Sequence, residues 1–123
     1  MEKKIKLTIG GREFQGELNQ TKTAEAIWNA LPIKANGNRW GDEIYFSIPV
    51  QMGPDSPKEV VEKGDLAYWP PGNAFCIFWG PTPASVGDEC RPASPVNVFG
   101  RISGDLSPLN DLKSTEVEIK KEE

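Results

Sequence analysis

The sequence predicts one domain over residues 1–123, mainly β, built as a closed or nearly closed barrel of about eight strands with one clear helix and one short helix. Three observations carry this. Segments that alternate polar and apolar residues recur from Lys4 to Lys120, glycine and proline clusters separate them, and a single stretch has helical spacing. With that many strands in a chain of this length, closure is favoured because it removes exposed edges.

The elements follow in order. Lys4–Ile9 and Glu13–Leu18 alternate around Gly10-Gly11, which reads as a hairpin with a primed turn. Ala24, Ile27, Trp28 and Leu31 fall at i, i+3, i+4 and i+7. They make one helical stripe, with Thr21 or Thr23 as cap and Pro32 closing it. Ile44, Phe46 and Ile48 alternate with Glu43, Tyr45 and Ser47, so this strand has a dry face and a wetter one. Nine of the 11 prolines lie between Pro49 and Pro95, around two strands at 66–69 and 74–79. Ser56-Pro57-Lys58-Glu59 matches a capping box and permits one helical turn, while Val60-Val61 suits extended chain equally well. A strand at 96–102 follows the loop at 80–94, then a short helix from Ser107-Pro108 through Leu112. An alternating edge strand from Thr115 and a frayed charged tail to Glu123 end the chain.

Composition removes several chemistries. The chain has no histidine, which excludes Ser-His-Asp and Cys-His nucleophilic sites and imidazole acid–base work. With two cysteines 14 residues apart and no histidine, no zinc or other cofactor is expected. Fourteen Lys and Arg against 18 Asp and Glu give a net charge of −4. That argues against nucleic acid as a partner, whose binding needs clustered cations. The only basic cluster is Lys3, Lys4 and Lys6, diluted by Glu2. The longest apolar run, Ala74–Trp79, is far short of the roughly 20 residues of a membrane helix. The start of the chain lacks the apolar block of a secretory signal, so the expected location is cytoplasmic, with both thiols reduced. Oligomeric state is not written in the sequence.

Three segments in order resemble the cyclophilins, and more closely their atypical bacterial and archaeal branch. Ile44-Tyr45-Phe46-Ser47-Ile48-Pro49 is similar to the family's F-x-R-x-I-P strand. Gly64-Asp65-Leu66-Ala67 with Asn73-Ala74-Phe75-Cys76-Ile77 is similar to its G-x-L-S-M-A and G-S-Q-F-F-I segments, and Val98-Phe99-Gly100-Arg101-Ile102 to its V-F-G-x-V strand. Residues 64–72 and 78–83 look like the signature of the atypical branch. The resemblance implies a cyclophilin-like barrel and a peptidyl-prolyl isomerase ancestry. In that family an arginine helps localise the prolyl nitrogen lone pair, weakening the partial double bond behind a barrier of about 18–20 kcal/mol. Without gaps, that arginine position is Phe46 here, and a phenyl ring cannot donate the bond. The family's groove glutamine is not matched in step, Gln51 lying nearby.

Candidate site residues follow from residue type and position. Tyr45, Trp69, Pro70, Phe78, Trp79 and Pro81, with Trp40, suit an aromatic groove for a prolyl or other apolar ligand. Taken singly, each is as simply explained by core packing. Four tryptophans weaken that account, since every buried indole N–H needs a partner; Trp40 and Trp69, flanking loops, are the preferred contacts. Whether Tyr45 or Phe46 faces the groove depends on register, because a slip of one residue exchanges them. Arg39 and Arg101 could supply the missing donor, with ion pairs to nearby carboxylates as the plainer account. Glu43, on the face of Tyr45, is a better functional candidate than Asp42, which points the other way. Cys76 reads as an inert buried thiol and Cys90, beside Arg91 in a loop, as the more reactive of the two, though without a histidine to deprotonate it Cys90 is no nucleophile.

The leading expectation is therefore a module that binds a prolyl peptide or a small molecule without the usual isomerase residues. Two others stand beside it: an atypical isomerase using Arg39 or Arg101, and an accessory domain related to the cyclophilin-like parts of amide-hydrolysing, oxoproline-type enzymes.

Overall fold

The computed structural model describes residues 3–122; Met1 and Glu2, read above with the N-terminal charges, and Glu123, read as part of the tail, lie outside the described residues. The nine strands are β1 Lys3–Ile9, β2 Arg12–Leu18, β3 Ile33–Asn36, β4 Asn38–Arg39, β5 Glu43–Ser47, β6 Asp65–Trp69, β7 Ala74–Phe78, β8 Asn97–Ser103 and β9 Glu116–Lys121. They form one sheet in the order β3-β9-β1-β2-β8-β6-β7-β5-β4. Helix α1 spans Lys22–Ala30, and 3-10 turns occupy Pro70–Gly72 and Ser107–Asp111.

The two ends of the sheet are halves of one extended stretch. β3 pairs with β9 and β4 pairs with β5, and only Gly37 separates them. Counted as one strand they give a barrel of eight, closed through Gly37. A Cβ there would lie 2.6 Å from Ile44 Cγ2, and the Gly37 N–H donates to Thr115 O at 2.7 Å. β9 consequently lies between β3 and β1, where it is paired on both sides. The expectation of an edge strand is corrected: a strand's own alternation does not say how many neighbours it has.

The hairpin forms as expected, with positive φ at both Gly10 and Gly11. Thr21 caps α1 by accepting from Ala24 N at 3.1 Å. The helical turn permitted at Ser56–Glu59 does not form. Asp55 accepts from Thr23 N and Oγ1 and donates its own N–H to Asn97 Oδ1. Lys58 then exchanges both backbone bonds with Val96. Ser56, at φ 49, turns the chain out of the helical region, so external partners outcompete the local cap.

The barrel interior is filled by Ile5, Leu7, Ile9, Ile44, Phe46, Leu66, Tyr68, Phe75, Ile77 and Phe99 among others. Phe46 stacks on Phe75 with centroids 5.1 Å apart, and Phe75 meets Phe99 edge-on at 4.9 Å. β7 is buried at every position. Phe75 and Ile77 face the barrel core, while Ala74, Cys76 and Phe78 join Val61, Ala67, Cys90 and Val96 in a smaller core on the outer side. The proline-rich segments thus form a second layer over β5, β7 and β6, and the candidate site lies within that layer. No helix among the described residues is long and apolar enough to cross a membrane.

Candidate functional site

Strand β5 has period two, so its faces separate cleanly. Ile44 and Phe46 enter the barrel, and Glu43 and Tyr45 face outward under the second layer. This settles the register question for Tyr45. In the antiparallel ladder Tyr45 is opposite Cys76 on β7, and Trp69 stands at the end of β6, opposite Ala74. Trp40 is held across the turn by its N–H, which donates to Glu43 O at 2.9 Å. The other wall is Pro92, Ala93 and Val96. Together with Cys76 these residues line a half-open cavity of about 260 Å³.

The roof is fixed by its own bonds. Trp69 Nε1 donates to Ser94 Oγ at 2.7 Å, and Val61 N donates to Cys90 O at 3.0 Å. Thr82 Oγ1 bonds to Arg91 O. The Glu89 carboxylate accepts from Val86 N, Gly87 N and Arg91 Nε, and these bonds pull its pKa down to about 2.

Glu43 is the one charged residue on the cavity wall. It is 4% exposed, and its Oε1 has no hydrogen-bond partner among the described residues. Burial raises its pKa to about 7, against a weaker opposing effect from the neighbouring Cys76 thiol. The same burial, together with the Glu43 carboxyl, raises the Cys76 thiol well above its ordinary range. Cys76 is thus a neutral wall of the cavity and no nucleophile.

Of the expected site residues, Trp40, Glu43, Tyr45 and Trp69 come together in this cavity; the others do not. Phe46 is 2% exposed inside the barrel, and Phe78 is fully buried in the outer core. Pro70 starts the 3-10 turn beyond Trp69. Trp79 is buried, with Nε1 donating to Asn110 Oδ1. Pro81 is exposed, its carbonyl accepting from Asp42 N. Arg39 binds Gly41 O and Asp42 and lies over the Trp79 ring at 5.3 Å. Arg101 reaches Lys63 O, Glu62 and Asp65 along a separate open groove of about 560 Å³. Both arginines therefore make the plainer carboxylate contacts. Cys90 is buried and desolvation raises its thiol, though less than it raises that of Cys76. Among the described residues no three Cys, Asp or Glu side chains converge as a metal site.

The sequence reading missed Cys76, Pro92, Ala93 and Val96 as lining. The pairing of Cys76 with Tyr45 follows once the β5–β7 register is known, but no residue pattern in the loop announces which of its prolines folds back.

Comparison with known proteins agrees with this architecture. No curated protein matches the chain. A hypothetical protein from Archaeoglobus fulgidus, known from its solution structure, is 41% identical, with 98% of this chain and 95% of that one covered and a TM-score of 0.81. The family model described as cyclophilin-like matches residues 3–120. The chain belongs to the cyclophilin-like family.

Proposed function

We propose that this protein is a binding module: it takes a compact, largely apolar group, a prolyl ring of a peptide or a small molecule of similar size, between Trp40, Tyr45 and Trp69. The observation that carries the reading is the cavity itself. The barrel core on the other face of β5 and β7 is filled by stacked phenylalanines. Yet about 260 Å³ stands open on the outer face of the same strands, walled by three half-buried aromatic rings. A dry cavity of roughly 150 Å³ accepts a benzene ring, and drug-sized sites start near 300 Å³. The space is the size of a ring with one or two substituents.

Isomerisation by the family's arginine device has no support at this cavity. The position that matches the arginine is Phe46, inside the barrel, and the guanidinium groups of Arg39 and Arg101 are engaged elsewhere. Titration of ¹⁵N-labelled protein with X-Pro peptides and a metabolite panel tests the reading. Shifts at Tyr45, Cys76 and the indole N–H groups of Trp40 and Trp69 are expected; a panel that moves none of them removes it. In a protease-coupled assay the protein is expected to leave the uncatalysed prolyl rate unchanged. Acceleration lost in Arg39→Ala or Arg101→Ala would restore the isomerase reading.

A further inference from the structure

An apolar ligand alone leaves Glu43 without a purpose. Glu43 is 4% exposed and lies on the cavity wall, and its Oε1 is buried with no hydrogen-bond partner among the described residues. Burying an unpaired carboxyl is unfavourable or forces it to hold a proton. The cavity wall offers no lysine or arginine to neutralise it. Its only other titratable groups are the Cys76 thiol from β7 and the Tyr45 phenol from β5 itself; β6 contributes Trp69, and the covering segment contributes Pro92, Ala93 and Val96. Charged groups on these and adjoining segments are paired with one another: Asp65 with Arg101, Arg91 with Glu89, and Asp42 with Arg39. Among the described residues, then, no cation on the cavity wall completes Glu43.

Two chemistries could do so, a cation on the ionised carboxylate or a hydrogen-bond acceptor on the protonated acid. The walls favour the first. Aromatic faces carry negative quadrupole potential, which attracts a cation and repels an anion or a carbonyl oxygen. Three aromatic side chains around one carboxylate make a site for an ammonium group, and the remaining proline, alanine and valine surface suits hydrocarbon. We infer that the cavity selects a protonated amine carried on a compact apolar body, its N–H bound to Glu43 and its hydrocarbon against Trp40, Tyr45 and Trp69. This rests on the binding reading above and adds the chemical class of the ligand.

The inference carries a proton balance. Burial leaves the free carboxyl half protonated near pH 7, whereas an ammonium ion binds only the ionised form. Below that pH each ammonium bound therefore displaces one proton to solvent, and affinity falls as pH falls. An uncharged acceptor would show the opposite slope.

The test uses three probes sharing a five-membered ring: pyrrolidine, an ammonium ion at both pH values used; cyclopentanol, uncharged; and cyclopentanecarboxylate, an anion. Each is titrated into the whole protein at pH 6 and pH 8, with indole and Cys76 amide resonances as readout. Pyrrolidinium is expected to bind about tenfold more tightly at pH 8 than at pH 6, following the ionised fraction of Glu43. Cyclopentanol, whose hydroxyl can donate to the carboxylate or accept from the acid, binds more weakly and without pH dependence, and the anion does not bind. Glu43→Gln is expected to lower pyrrolidinium affinity at least tenfold at pH 8, abolish the pH dependence and leave cyclopentanol unchanged. If that variant does not fold, the two pH values on the unaltered protein decide alone. Cyclopentanol or the anion binding as tightly as pyrrolidinium at pH 8, or an affinity that rises toward pH 6, overturns the amine class while the binding reading stands. Silence from all three while X-Pro peptides shift the same resonances also overturns the amine class alone. Silence from probes and peptides together overturns both.

Discussion

The two faces of β5 are covered in different ways. Inward, Ile44 and Phe46 are buried against Phe75 and its neighbours, with no polar atom to satisfy. Outward, Glu43 is buried and Tyr45 half-buried beneath a proline-rich segment attached by discrete bonds, which leaves a cavity and an unpartnered carboxyl oxygen. A barrel interior is filled by side chains converging from strands all around it. A loop laid on a sheet touches only where its turns allow, so the space beneath it can be kept open for a ligand.

The contrast is broken most severely from the inside. Phe46→Ala is expected to destabilise by about 3–5 kcal/mol, the range for phenylalanine truncation in a packed core, as read by urea denaturation. Phe46→Arg places a charge in the barrel, so it is expected to unfold the protein and yield no isomerase activity. Tyr45→Ala is expected to cost far less stability while weakening ligand binding; equal losses at positions 45 and 46 would erase the distinction between the faces.

Glu43→Gln comes next, with a sign set by pH. The folded carboxyl titrates near 7 against an ordinary value of 4.5, so the folded state holds the proton more tightly and stability falls as pH rises from about 4.5 to 7. The substitution should therefore stabilise at pH 8, by up to roughly 3 kcal/mol, and change little near pH 4. Thermal melts at both pH values check this, and a variant that melts lower at pH 8 would contradict it. Gly37→Ala, which drives a methyl against Ile44 where the barrel closes, should cost about 1–3 kcal/mol. Ser94→Ala removes the oxygen that accepts the Trp69 indole N–H. About 1 kcal/mol is expected, with hydrogen exchange rising in the 80–96 segment and not in β1 or β2.

Much of this was legible in the residues. Alternation marked the hairpin and β5, spacing marked α1, and period two placed Glu43 and Tyr45 on one face. The strand at 33–39 was not legible, because Asn36-Gly37-Asn38 has the composition of a turn while its geometry is a close approach between strands. The capping box at Ser56 failed because Asp55 and Lys58 found partners far away in sequence. In the site, Trp40 and Trp69 were found because loop-flanking indoles need partners. Phe78 and Cys76 were exchanged in role: in a run as apolar as Ala74–Trp79, period alone does not show which outward residue meets packing and which meets a cavity.

The most direct measurement is the pH titration of the Glu43 side-chain carboxyl ¹³C resonance, recorded with and without pyrrolidine. A midpoint near 7 in the free protein, moving downward as the amine binds, is the expected result. A midpoint near 4.5 that the amine leaves in place would contradict a buried, unpartnered carboxyl waiting for a ligand.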